Sequence, residues 1–424
     1  MLIQFRFKNF KSFKEDTILD LSATRLTEHS DRVISLGNEK LLPAAAIFGA
    51  NASGKSNVMK AFRYMVTYVI ESFAYGGDEN DKKNMRKRPK LTPFLFNEES
   101  RNAESSFEVY FIAEELWGEN KTFKSYNYGF TIDRDGISEE WLNSKAKTAK
   151  EYSMIFYRNR EELDLTGLPE KSRENIEIAL EKETLIVSLG AKLKIAKLKN
   201  VRDWFYRCNF ADFGNPYENA FLSSLIPDGF ADDPEIQKDV IEYFSAFDPS
   251  IIGFHVEVME DENENREHIK IDALHRMGKD QTASIPLEEE SGGTLKMFAL
   301  YPVLRETLQS GGVLFVDELN SRLHPLLVRN FLITFLDPGI NTKHAQIIFT
   351  THDSWQLSNN LLRRDEIWFT EKDEEGISVL YSLADFLDED GMKIRKDENY
   401  EKNYLLGKYG AIPSLKSFHV SEEN

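Results

Sequence analysis

Cysteine is almost missing from this 424-residue chain; Cys208 is the only one. A single thiol excludes a disulfide framework and a cysteine-ligated zinc site, and it fits a reducing compartment. The eight histidines fall into no ligand spacing, so no transition-metal centre is expected. Long apolar runs are lacking as well. The longest, residues 313–316 and 347–349 among them, are far short of the roughly 20 residues that cross a bilayer. The opening MLIQFRFKNFKSFKED has no apolar h-region, so no signal peptide is read, and a soluble, cytoplasmic chain with no membrane partner is expected. Positive charge is in deficit: 53 Lys+Arg stand against 71 Asp+Glu, a formal net charge of −18. That balance argues against broad coating of nucleic acid and leaves room only for a local basic patch.

What is present is a globular composition, 41% hydrophobic and 29% charged. The length suits two or three domain-sized units. No repeat or long heptad array is visible. Three textures follow one another. Residues 1–160 mix strands with one strong helix, and 104–112 and 124–132 read as β, rich in Phe, Tyr, Val and Ile. Residues 161–285 read as mostly helical, for example 172–180 and 235–247. Residues 286–424 return to alternating strands and helices, an α/β pattern. Basic runs lie at Lys82, Lys83, Arg86, Lys87, Arg88 and Lys90, and at Lys192, Lys194, Lys197, Lys199 and Arg202; an acidic run covers 260–264. Each is expected to be a solvated face before it is a binding surface.

The sharpest pattern is Gly49-Ala50-Asn51-Ala52-Ser53-Gly54-Lys55-Ser56, a full match to G-x-x-x-x-G-K-[ST]. The apolar run 41–48 before it can end as a buried strand. After it Val58, Phe62, Met65, Val69 and Phe73 recur on one helical face, and Gly76-Gly77 marks a stop. A strand, a glycine turn and a helix N-terminus together make an anion site, because unpaired amides and the helix dipole point at the ligand. Lys55 is expected to reach the β- and γ-phosphates of ATP or GTP, and the Ser56 hydroxyl to ligate Mg²⁺.

Such a loop needs a carboxylate from a neighbouring strand to complete the metal shell. Residues 312–318 (GVLFVDE) supply it: four apolar residues and then two acids. Asp317 is the expected metal ligand, and Glu318 the group that orients and deprotonates water. Residues 345–351 (AQIIFTT) form another apolar strand, which ends in His352-Asp353. A histidine there can hydrogen-bond the γ-phosphate or the attacking water.

Upstream of Asp317 stands Ser291-Gly292-Gly293, at the start of an apolar helix. With it the order of motifs resembles the ABC-type ATPases of the SMC, RecF, RecN and OLD group. In that group a Ser-Gly-Gly signature precedes the Walker B acids and a switch histidine follows them. The opening Asn9-Phe10-Lys11-Ser12-Phe13 and the P-loop with Asn57 are similar to the start of SMC-type heads, which implies that Lys11 and Asn57 lie near the nucleotide. The tail, Leu323-His324-Pro325, residues 364–369 and residues 404–413, resembles standalone anti-phage ATPases of the RloA and abortive-infection kind.

The resemblance implies a P-loop NTPase of α/β class: an ABC-type head built from 1–160 and 286–424, with a β-rich lobe, an α/β core and a mostly helical insertion at 161–285. It implies that ATP and Mg²⁺ are bound between two copies, the signature of one closing the P-loop of the other, in a homodimer or a higher even-numbered oligomer. It further implies a separate effector of Toprim or nuclease type in defence. The rival readings are a RecF-like DNA-repair or DNA-structure sensor using the basic runs, and a scaffold that only binds nucleotide. The family's Q-loop glutamine has no clear counterpart: Gln237 and Gln281 are far along the chain, and Asn97 or a water is expected to stand in for it.

Overall fold

The computed structural model describes residues 1–75, 86–117, 120–147, 149–215, 217–218, 226–227, 229–245, 248–261, 266–278, 281–388 and 391–413. In chain order the strands begin with β1 (Leu2–Lys8), β2 (Thr17–Asp20), β3 (Ile34–Leu36), β4 (Glu39–Leu41), β5 (Ala44–Gly49) and β6 (Ser105–Trp117). They continue with β7 (Asn120–Ile132), β8 (Ile137–Ala146), β9 (Ser153–Asn159), β10 (Leu163–Asp164), β11 (Cys208–Asp212) and β12 (Ile251–Asp261). The last are β13 (Arg266–Met277), β14 (Gln281–Pro286), β15 (Val313–Asp317), β16 (Gln346–Thr350), β17 (Ile367–Lys372) and β18 (Ser378–Ser382).

Two sheets carry the architecture. A seven-stranded antiparallel sheet runs β10-β9-β8-β7-β6-β1-β2, and a six-stranded sheet runs β11-β15-β16-β5-β17-β18. In the second, β11, β15, β16, β5 and β17 are parallel, and only β18 turns back. Both faces of its centre are covered, so β5, β15 and β16 are buried at every position and their sequences run apolar without alternation. In β1 the period is two, because one face packs and the other is partly wet.

The P-loop helix, Lys55–Glu71, lies between the two sheets. Phe62 shows why: its ring stacks on Phe315 of β15 at 4.8 Å and meets Phe5 of β1 edge-on at 4.9 Å. The helix therefore buries apolar side chains towards both sheets, wider than the single stripe read from its spacing. It ends at Glu71 and tightens to a 3₁₀ turn, Ser72–Ala74, where Thr184 Oγ1 donates to Ser72 O and Leu185 N donates to Ser72 Oγ. The expected stop at Gly76-Gly77 lies outside the described residues, as do Lys82 and Lys83. On the other face of the α/β sheet lie the helices Gly292–Ser310 and Pro325–Leu336.

The expectation of a mostly helical segment at 161–285 holds only for its first part. Helices Glu170–Ala179, Ile186–Lys192, Ala196–Phe205 and Pro234–Ser245 are there. β11, however, belongs to the core sheet, in parallel register with β15 from Cys208↔Val313 to Asp212↔Asp317. The division of the head at 160 and 286 therefore cuts through its own sheet. β12, β13 and β14 form a separate antiparallel sheet. Their alternation, with Phe254, Ile271 and Ala273 buried, is a strand period, and Phe254 packs on Phe298 at 5.9 Å. Among the described residues no helix is long and apolar enough to cross a membrane.

Candidate functional site

β5 delivers Gly49 with φ +151°, and the loop then passes through left-handed geometry at Ala52 (φ 62°) and Gly54 (φ 118°) before the helix begins at Lys55. A Cβ at Gly49 would come within 2.4 Å of the Thr370 carbonyl, and one at Gly54 within 2.6 Å of Ser378 Oγ. Both glycines are thus required by backbone conformation and by lack of room. The loop is braced from β17 and β18. Ser53 Oγ lies 2.6 Å from Thr370 Oγ1, Ser378 Oγ donates to Ser53 O at 2.7 Å, and Asn57 Nδ2 donates to Ser12 Oγ at 2.8 Å. Thr370 and Ser378 are hundreds of residues from the motif, and no sequence signal marks them.

Lys55 is buried, and its Nζ donates to Gly49 O and Ala50 O, each at 2.9 Å. Burial pulls its pKa down to about 8, with Asp317 and Glu318 opposing. The ammonium is therefore held over the mouth of the loop with its charge poorly solvated, which suits it to a polyanion.

Asp317 ends β15 and Thr350 ends β16 beside it. Thr350 Oγ1 donates to Asp317 Oδ1 at 2.5 Å and accepts from Glu318 N at 2.9 Å. Glu318 itself sits at φ 52°, a left-handed backbone unusual for a non-glycine residue. The amide of His352 and the hydroxyl of Thr351 both bond Asn320 Oδ1, which fastens the strand end to the segment after the acids. Burial, and then the nearby Lys55 ammonium, push the His352 pKa below its ordinary value, with Glu318 and Asp317 opposing.

One open cavity of about 440 Å³ gathers Asn51, Ala52, Gly54, Lys55, Ser56 and Asn57 with Glu318 and His352. It also takes in Lys60, Thr350 and Lys372. Lys60 was legible, lying four residues after Ser56 on the same helical face. Lys372 ends β17, the parallel neighbour of β5, where strand ends meet ligands in open α/β sheets.

Lys11 is not among the lining residues; it has φ 52°, its amide donates to Thr92 O, and burial and then Lys60 lower its pKa. Asn97, offered in place of the Q-loop glutamine, has a structural partner of its own. It caps the helix Glu98–Asn102, accepting from Ser100 N, and lies outside the cavity. The polar residue at the end of the strand beside β15 is Asp212, buried, with its carboxyl pKa raised by burial and then by Asp317.

Ser291 caps the helix Gly292–Ser310, its Oγ accepting from Thr294 N at 3.1 Å. Ser291, Gly292 and Gly293 line a different cavity, of about 590 Å³, with Asp248, Arg322 and Leu327. The two cavities have no lining residue in common. Behind the signature, buried Lys296 donates to the carbonyls of Glu318, Leu319 and Ser321.

Among the described residues no cluster of three or more His, Cys, Asp or Glu side chains could hold a metal ion by itself. That fits Mg²⁺, which usually takes one or two protein oxygens and completes its shell with phosphates and water. Ser56 lines the cavity; Asp317 does not, but it stands buried at the end of β15 next to Glu318, which does, and among the described residues only its Oδ1 is engaged, by Thr350.

No curated protein matches this chain. Among solved structures it is similar to one titled "Crystal structure of the SmcHead bound to the C-winged helix domain of ScpA", at 16% identity and a TM-score of 0.48, covering 93% of this chain and 99% of that one. Residues 44–354 match the family AAA_21, described as "AAA domain, putative AbiEii toxin, Type IV TA system". The matched span opens on the first residue of β5 and closes two residues after His352, so it takes in the phosphate loop, the signature, the paired acids and the histidine. It is most of the chain, and the protein belongs to the AAA_21 family of P-loop ATPases.

Proposed function

We propose that this protein is a Mg²⁺-dependent ATPase that closes head to tail with a second copy of itself and so switches a separate effector in anti-phage defence. What carries the reading is the separation of the two cavities. In one chain the Ser291–Gly293 amides do not line the cavity around Lys55, so a triphosphate contacting both must lie between two copies. A two-fold pair supplies both contacts twice.

The P-loop amides and Lys55 bind the phosphates and fix the γ-phosphoryl group for in-line attack. Ser56 and Asp317 would hold Mg²⁺, which would supply positive charge to offset that developing on the phosphates. Glu318, its backbone fixed by Thr350, takes the proton from the attacking water at a carboxylate oxygen. Neutral His352 accepts or donates one hydrogen bond at the γ-phosphate or that water, and reports its loss to the segment at Asn320. Ser291, Gly292 and Gly293 of the other copy close the site against bulk water. The family description, with its putative AbiEii toxin and type IV toxin–antitoxin system, supports a role in defence; the separate effector, Toprim-like or nuclease-like, rests on the resemblance of the tail alone.

Replacing Glu318 by Gln is expected to trap ATP in a stable dimer, measured as a doubling of mass by light scattering, while Lys55→Ala abolishes both turnover and dimer. A Glu318→Gln protein that hydrolyses ATP at the wild-type rate would remove Glu318 from the mechanism. The DNA-sensor reading loses support from the second basic run. Lys192 lies over the Phe73 ring, Lys197 donates to Gly167 O, Lys199 pairs with Asp203, and Arg202 lies over Tyr206. Of that run Lys199 alone is ion-paired among the described residues, while Lys192, Lys194 and Lys197 are exposed, so the support lost is only partial.

A further inference from the structure

Arg322 is the exposed cation of the signature cavity, and among the described residues nothing pairs with it. Among the described residues its guanidinium forms no ion pair or hydrogen bond, although the chain is strongly acidic. Its side chain lies along the signature: a Cβ at Gly292 would come within 3.2 Å of Arg322 Cδ and 3.5 Å of Nη1. A side chain at that position would push the arginine aside by a few tenths of an ångström.

The backbone that presents Arg322 is held firmly. Arg322 has φ 60°, in the left-handed region that disfavours a side chain. The turn persists because Ser321 N donates to Glu318 O, Leu323 N to Asn320 O, and Lys296 Nζ to Ser321 O at 2.9 Å. Buried Leu323 anchors the far side. A strained, over-determined turn displaying a free guanidinium beside two glycines is a preorganised anion contact. The acid in the same cavity, Asp248, has its Oδ1 engaged by the amide and hydroxyl of Ser250.

The P-loop cavity, by contrast, contains lysines and a histidine but no arginine. We propose that Arg322 is a catalytic residue acting in trans, its guanidinium contacting the γ-phosphate held by the other copy's P-loop and stabilising the charge that spreads over it during transfer. The proposal rests on the head-to-tail reading above. No bond to Arg322 forms or breaks; the γ-phosphorus bond to the bridging oxygen is exchanged for one to water, whose proton Glu318 takes. The planar, delocalised guanidinium can bond two phosphate oxygens at once, which an ammonium cannot match.

The test is complementation between full-length chains. Arg322→Ala alone should lower kcat by about a hundredfold or more with little change in KM, and Arg322→Lys should recover only part of it. Lys55→Ala alone should be inactive. Mixed in equal amounts, the two should regain turnover well above that of either alone, up to roughly a quarter of wild type, because each mixed dimer has one intact site. Ser291→Ala with Lys55→Ala is the parallel pair. If the Ser291 pair complements and the Arg322 pair does not, Arg322 does not act in trans, and the dimer reading stands. If neither pair complements and light scattering finds single chains with ATP bound, the dimer reading fails and the proposal falls with it. Wild-type kcat in Arg322→Ala would also overturn the proposal.

Discussion

Lys296 Nζ lies 3.0 Å from the carbonyl oxygen of Glu318, and from the same atom run bonds of 2.8 Å to Leu319 O and 2.9 Å to Ser321 O. An ammonium has three protons, and here each has one carbonyl acceptor. The lysine sits on the signature helix, five residues after Ser291, so one side chain joins the signature to the backbone of the expected base. It also lies 4.1 Å from the centre of the Phe213 ring.

Lys296→Met should destabilise the fold by about 2–3 kcal/mol, since it leaves buried carbonyls without a donor. Burial pulls the lysine down to about 7, with Glu318 opposing and Arg322 adding to the shift. A lysine lowered on folding carries fewer protons folded than unfolded between pH about 7 and its ordinary value near 10.4. Its contribution to stability therefore rises with pH across that window. The gap in unfolding free energy between wild type and Lys296→Met, measured by urea titration at pH 6.5 and pH 9, should be wider at pH 9. An equal gap at both would contradict the assignment.

Thr350→Val keeps the shape of the strand end and removes the hydroxyl that holds Asp317 Oδ1 and the Glu318 amide. The carboxylate loses its orientation, and partners of that kind typically contribute 10–100-fold to metal affinity. Half-saturating Mg²⁺ for nucleotide turnover should rise by about tenfold or more. Binding of a fluorescent nucleotide in EDTA should not change, and a weakening there would point to damage beyond the metal shell.

Gly54→Ala places a Cβ 2.6 Å from Ser378 Oγ and 3.1 Å from Ser12 Oγ at a φ of 118°. The cost of strain is on the order of 1–3 kcal/mol. Lower thermal stability and at least about tenfold weaker nucleotide binding, read by calorimetry, are expected. Ser378→Ala, which removes only a brace, should cost about 1 kcal/mol and leave most of the affinity.

Glu140 is fully buried against Arg158, and its carboxylate accepts from the amides of Ile186 and Val187 at the start of the next helix. Burial pushes its pKa up, and Arg158 opposes that. Glu140→Ala strands a buried guanidinium and should lower the unfolding free energy by about 3–5 kcal/mol in denaturant titration. Replacing both partners by apolar residues of similar size should restore much of the loss. A single variant as stable as wild type would show that water reaches the pair.

The phosphate loop, the paired acids, the strands at 104–112 and 124–132 and the face of the P-loop helix could all be read from short windows. Their chemistry depends on neighbours within one turn or one strand, and the residue types are dictated locally. β11 and the β12–β14 sheet were read as part of a helical stretch because the flanking helices dominate the composition there. A short strand is recognised only when its partner is known, and Cys208 pairs with Val313 over more than a hundred residues. Analogy puts Lys11 near the nucleotide, and elimination offers Asn97; neither lines the cavity, although Lys11 lies close enough to Lys60 of that cavity for the two charges to interact.

The amino-acid order alone determined that a glycine-rich phosphate-loop motif joins a strand to a helix here, that Asp317 and Glu318 stand at a strand end, and that a serine-glycine helix start precedes them. Only the folded chain decided which distant groups brace that cradle and what holds Glu318 in its left-handed backbone. It also set Arg322 free beside the signature, in a cavity apart from Lys55. The physical reason is range. Backbone geometry and helix dipoles act over a few residues and are written into adjacent letters, whereas a hydrogen bond such as that between Thr350 and Asp317 forms only once parallel strands have aligned.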